Sequence, residues 1–105
     1  MTDRIDRIRK LLEASPDDVF LVYSLGMELL SAGRPEDAAE QFARCARIDP
    51  EYLAAYVEEG KAWRSAGRLD QARRAFEASL ALARRQGQDH IRDHIQQQLD
   101  GLVGA

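Results

Sequence analysis

The sequence predicts an all-α fold of about six helices, arranged as antiparallel helix-turn-helix pairs stacked side by side. Three observations carry this. The chain repeats itself: Ser31-Ala32-Gly33-Arg34 returns as Ser65-Ala66-Gly67-Arg68, and the same offset of 34 carries Gly26 to Gly60, Ala38 to Ala72, Phe42 to Phe76 and Pro16 to Pro50. Between these marks the apolar residues recur at spacings of three and four, the period of a helix. Gly33 and Gly67 then fall where a helix ends in a left-handed conformation that glycine adopts without strain, and Pro35 suits the first position of the next helix.

The spacing places helices near 3–14, 18–32, 36–48, 52–66, 70–86 and 89–103. The first carries Ile5, Ile8, Leu11 and Leu12 at helical spacing, with Ile8 one period before Phe42. It reads as the second helix of a hairpin whose first helix is missing. The second, VFLVYSLGMELL over 19–30, is apolar nearly all round, and such helices are normally covered on every side. In the pairs that follow, Gly26 and Ala38, like Gly60 and Ala72, are small enough for close approach, while Phe42 and Phe76 fill the space beyond. Asp89 is placed to cap the last helix, in which Ile91, Ile95, Leu99 and Leu102 form one stripe. A polar outer face there suits the end of a stack.

With 105 residues, 45% of them apolar and 31% charged, the chain has room for one domain, 1–105, and is not a disordered tail. A net charge of -3 gives no general attraction for phosphate backbones or anionic lipid, so neither nucleic acid nor membrane is expected as a partner. Cys45 is the single cysteine, which excludes an internal disulfide. MTDRIDRIRK is charged where a secretory signal needs an apolar run, and a cytoplasmic protein is expected.

The period and pattern resemble the tetratricopeptide repeat, whose signature runs aromatic, Leu-Gly, aromatic, then Ala, Phe and Pro. Residues 19–52 match through Val22, Leu25-Gly26, Leu29, Ala38, Phe42 and Pro50. Residues 53–86 match through Tyr56, Gly60, Trp63, Ala72 and Phe76, with Glu59 where Leu is usual and Arg84 where Pro is usual. The 89–103 helix carries His90, Asp93, His94 and Gln97 at the signature positions and so reads as a terminal cap. The resemblance implies a short right-handed α-solenoid acting as a non-enzymatic adaptor or scaffold, with a concave groove for a peptide or helix of a partner that has an apolar face.

On the second helix, Val19, Val22, Leu25, Gly26 and Leu29 then pack against neighbours. Phe20, Tyr23, Met27 and Leu30 form an adjacent stripe facing the groove, and the equivalent positions on the fourth helix are Ala54, Val57, Lys61 and Arg64. The implied groove residues are Phe20, Tyr23, Met27, Leu30, Val57, Lys61, Arg64 and Arg92, apolar at one end and basic at the other. Full burial of the four stripe side chains contributes about 6 to 12 kcal/mol at about 1.5 to 3 each, against association costs of about 4 to 15 kcal/mol. Weak to moderate binding follows. Two alternatives stand beside it: a homodimer in which the stripe meets the same stripe on another copy, and a stripe covered within one chain by the terminal helix or by residues 1–4. Some members of the family hold acidic chaperone C-termini in a two-carboxylate clamp. The matching positions here are Tyr23, Met27, Glu58, Gln88 and Arg92, of which only Arg92 agrees, so that clamp is absent.

No nucleophile with a base and orienter, phosphate loop or metal cluster assembles, and neither enzyme activity nor a cofactor is expected. His90 and His94 lie four apart on a helix but lack the further ligands zinc requires, which favours a solvated face over a metal site. Cys45 reads as a small buried hydrophobe. Arg68, Arg73, Arg74, Arg84 and Arg85, interleaved with Asp70 and Glu77, read as a solvated outer face. Glu59, replacing an expected core Leu, needs a nearby Arg or partial exposure.

Overall fold

A computed structural model describes residues 3–103. Among the described residues six helices follow one another: α1 (Asp3–Ala14), α2 (Val19–Ser31), α3 (Pro35–Ile48), α4 (Leu53–Ser65), α5 (Leu69–Arg85) and α6 (Asp89–Val103). Consecutive helices are spatial neighbours throughout. The resulting stack measures 38 × 28 × 19 Å. Its radius of gyration, 13.8 Å, slightly exceeds the value of about 13 Å for a compact domain of this length, as a stack of hairpins should.

The turns explain why the helices stop where they do. At the end of α2, Gly33 takes φ 76°, its N–H donates to Leu30 O at 3.1 Å, and the Arg34 N–H donates to Leu29 O at 2.9 Å. This paired reversal satisfies two carbonyls that a helix end leaves open. Gly67 (φ 75°) repeats it, with Gly67 N to Arg64 O at 3.0 Å and Arg68 N to Trp63 O at 2.9 Å. Gly87 (φ 68°) makes a third such turn, a role its sequence context alone did not disclose. Helix starts differ more. The Asp18 carboxylate caps α2, accepting from Phe20 N at 3.0 Å and Leu21 N at 3.2 Å, whereas α3 begins with Pro35 in its first turn. Asp89 does not lie outside α6 as a cap: it is the first helical residue, and its carboxylate faces Arg92 at 3.6 Å.

Where the repeat breaks its pattern, the structure follows. Pro50 lies just past the end of α3, which has 14 residues; Arg84 stands one period later, and α5 runs on to 17 residues. A residue with an N–H and no ring lets the last turn continue.

The core divides between the two hairpins. Val22, Leu25, Leu29, Ala38, Phe42 and Cys45 pack into one buried cluster, joined by Ile5 and Leu12 from α1. Phe76, Leu80, Leu82, Ile95, Leu99 and Leu102 belong to the second. The large ring of each hairpin does not merely fill space beyond a small-residue contact but lies against the glycine itself. A Cβ on Gly26 would come within 2.6 Å of the Phe42 ring, and one on Gly60 within 2.6 Å of Phe76. Cys45 is fully buried, its thiol donating to Val19 O at 3.8 Å. One period on, Ser79 is equally buried, and its hydroxyl donates back to Ala75 O at 2.6 Å, which meets the need of a hydroxyl in an apolar place.

Candidate interaction groove

Periodicity sets the groove residues in columns across α2, α4 and α6. Phe20 is followed by Ala54; Tyr23 by Val57 and Ile91; Met27 by Lys61; Leu30 by Arg64 and Gln98, while Ile95, one period after Lys61, leaves the column and is fully buried in the core. A contact shows that such columns bring side chains together, since the Arg64 guanidinium donates to the Gln98 amide oxygen.

The four residues of the α2 stripe separate into two kinds. Phe20 is 73% exposed, so no described segment covers it, whereas Met27, 37% exposed, is partly covered and lies beside α1; Met1 and Thr2 lie outside the described residues. Tyr23 and Leu30 are half-buried at the edge of the first core cluster. Tyr23 has its ring 5.4 Å from Phe42 and 5.3 Å from Tyr52, which reaches it from the turn before α4. Burial, with Glu58 as a further cause, pushes the Tyr23 hydroxyl up to about 12. Tyr23 is therefore a neutral side chain fixed by ring packing. Val57 is buried.

A second apolar feature lies between α4 and α6. Leu53, Ala54, Val57 and Ile91 line an open recess of about 290 Å³, flanked by Glu58, His90 and His94. Ile91 is 38% exposed, unlike the other members of its stripe: Ile95, Leu99 and Leu102 are buried. Ile91 shares a helical stripe with these core residues and also stands one period after Val57 and two after Tyr23. The expected split, apolar at one end and basic at the other, thus omits an apolar recess at the α6 end.

The basic groove residues all have local partners. Lys61 Nζ lies 3.8 Å from Glu58, Arg92 lies 3.6 Å from Asp89 and 3.4 Å from Asp93, and Arg64 bonds Gln98 while its guanidinium carbon is 6.0 Å from the Phe76 ring centroid. The Arg92 pairs are partly exposed, and pairs of that kind contribute at most about 1 kcal/mol each; the Lys61–Glu58 pair is better shielded, with its side chains 33% and 20% exposed.

Away from the groove, Glu59 accepts from Trp63 Nε1 at 3.1 Å and is half-buried. Burial raises its carboxyl above the usual range, opposed by the Trp63 bond and by Arg47. Of the arginines near α5, Arg68 pairs with Glu36 at 3.2 Å and Arg85 with Glu51 at 3.5 Å. Among the described residues no three His, Cys, Asp or Glu side chains gather as metal ligands, and no helix is long and apolar enough to cross a membrane.

Stacked helical hairpins with a lined face define a helical-repeat protein. Comparison with known proteins makes the class specific. A model of the tetratricopeptide repeat family matches residues 29–90. A TPR repeat-containing protein of Pseudomonas aeruginosa is 41% identical over 83 residues, 79% of each chain. The chain belongs to the tetratricopeptide repeat family. Among solved structures, a tetratricopeptide repeat domain protein from Salinibacter ruber is 26% identical, with TM-score 0.75 over 85% of this chain and 90% of that one. PcrH in complex with the chaperone binding region of PopD shares the fold at TM-score 0.87 and 20% identity, covering 97% of this chain and 77% of that one. The Yersinia enterocolitica type III secretion chaperone SycD, in complex with a peptide of the translocator YopD, does so at TM-score 0.85 and 15% identity, covering 96% and 78%.

Proposed function

We propose that this protein is a non-enzymatic interaction module that holds an apolar peptide or helix of a partner protein in the groove of α2, α4 and α6. The observation that carries the reading is the exposure of Phe20, a large aromatic 73% open to solvent on a helix whose opposite face is fully buried. Met27 is 37% exposed on the same helix, and a separate apolar recess lies between α4 and α6 at Ile91. Exposed apolar surface of this kind marks interaction sites. PcrH and SycD, which share the fold, were each determined with a segment of a partner protein bound.

In this reading Phe20, Met27 and Ile91 are the anchors, Tyr23, Leu30 and Val57 the walls, and Lys61, Arg64 and Arg92 exchangeable charges that favour a partner with carboxylates near its apolar residues. The test is selection of peptides from a random display library on the wild-type protein and on the variant Phe20→Asp with Ile91→Asp. Peptides with a shared apolar motif should be enriched on the first and lost on the second, with helicity unchanged. Enrichment indifferent to the substitutions contradicts the reading. Self-association through the stripe is the rival: sedimentation showing a dimer that Phe20→Asp returns to monomer would establish it instead.

A further inference from the structure

The two ends of the stack are not equivalent. At the α1 end, Arg4, Arg7, Ile8 and Leu11 of α1 and Tyr23 and Met27 of α2 line an open recess of about 440 Å³. Moving these positions on by one period gives Ala38, Gln41, Phe42 and Cys45 on α3, then Val57 and Lys61 on α4. There Ala38, Phe42 and Cys45 are buried. What fills that equivalent place is α2, whose Val22, Leu25 and Leu29 share a core cluster with Ala38, Phe42 and Cys45, and whose Gly26 meets the Phe42 ring. The internal repeat therefore states what the α1 recess is shaped for: an amphipathic helix lying as α2 lies on α3. No described helix occupies it, and Leu11 is 56% exposed there.

Charge narrows the occupant. Arg4 and Arg7 stand where the equivalent face has Ala38 and Gln41. Arg4 reaches Glu28 at 3.2 Å but keeps 71% of its side chain in solvent, and Arg7 makes no ion pair among the described residues. We propose that the α1 recess, which adjoins the groove through Tyr23 and Met27, is a further docking site, for an amphipathic helix of a partner protein that carries carboxylates beside its apolar stripe and packs on α1 as α2 packs on α3. A second copy of this chain fits less well. The α6 face that could continue the stack presents exposed His90, Asp93, His94 and Gln97, which offer acid but no apolar stripe to Ile8 and Leu11.

The probe is a synthetic peptide of residues 17–34, the helix that fills the equivalent place, with Asp17, Asp18 and Glu28 against Arg34 for charge. Titrated into the full chain, it should bind, weaken at least about tenfold with Leu11→Asp, by an intermediate factor with Leu11→Ala, and severalfold with Arg7→Glu. Ile91→Asp, which disables the groove end of the other reading, should leave it unchanged. Circular dichroism establishes that each variant folds, and Leu11→Ala serves if Leu11→Asp does not. Absence of binding at millimolar peptide, binding indifferent to Leu11 and Arg7, or loss only with Ile91→Asp overturns the proposal. So does sedimentation showing a dimer that Leu11→Asp dissociates, since the occupant is then a second copy.

Discussion

The Phe42 ring occupies the space that a side chain on Gly26 would need, with a Cβ there meeting Cε1 at 2.6 Å and Cζ at 2.8 Å. The ring is fully buried and has no room to retreat. Overpacking costs about 1–3 kcal/mol, and the helix preference of Ala over Gly returns about 1 kcal/mol. Gly26→Ala should therefore lose up to about 2 kcal/mol in urea denaturation. Gly101→Ala, in α6 with nothing within 4 Å, should instead gain up to about 1 kcal/mol. Phe42→Ala should cost about 3–5 kcal/mol, and the two substitutions at the contact should be non-additive, because removing the ring frees the space.

Backbone conformation alone sets the cost at Gly33. No atom lies within 4 Å of a Cβ there, yet φ is +76°. Gly33→Ala should lose about 1–2 kcal/mol through left-handed strain. A loss without any contact to explain it distinguishes this turn from the crowded glycine of α2, and thermal unfolding of the two variants measures the difference.

Glu59 gives the protein a pH dependence of known sign. Burial raises its folded-state value above the unfolded one, so the native state binds the extra proton. The stabilisation tied to that proton is complete below the unfolded value and is lost as pH rises through the folded one. Glu59→Gln keeps an acceptor for Trp63 Nε1 and removes the buried charge. It should be more stable than wild type at pH 7, with the difference shrinking as pH falls towards 4, near the unfolded value of about 4.3. A constant difference across that range contradicts the assignment.

Cys45 should behave as an inert core thiol. Burial pushes it up to about 11, against the opposing influence of Arg44, so little thiolate exists at pH 8. Reaction with an aromatic disulfide reagent should be slow in the native protein and fast in urea, its rate following unfolding. Rapid native labelling would show that the α2–α3 contact opens.

Much of this fold was legible because each signature residue has a local physical reason. Gly33 and Gly67 end helices, and Gly26 and Phe42 fit one another at a spacing the repeat duplicates. Site residues were less legible because helical spacing reports which face a side chain is on and not how deeply a neighbour covers it. Tyr23 and Phe20 share one stripe, yet Tyr52 and Phe42 cover Tyr23 while Phe20 stays open. Tyr52 comes from a turn, where no periodicity foretells its reach. Charged partners are similarly hidden, since Arg68 and Glu36 meet only once two hairpins are stacked. Half-burial also redirects experiment: charge at Tyr23 would disturb the ring cluster, so Phe20, Met27 and Ile91 are the positions that separate binding from folding.

The most direct test of the groove is an amide chemical-shift map of the labelled protein titrated with a peptide from the display selection. The account predicts shifts concentrated at Phe20, Met27, Ala54 and Ile91, with Gln71, Arg74 and Ala78 on α5 unmoved. Shifts centred on α5 and absent from α2 and α6 would contradict it.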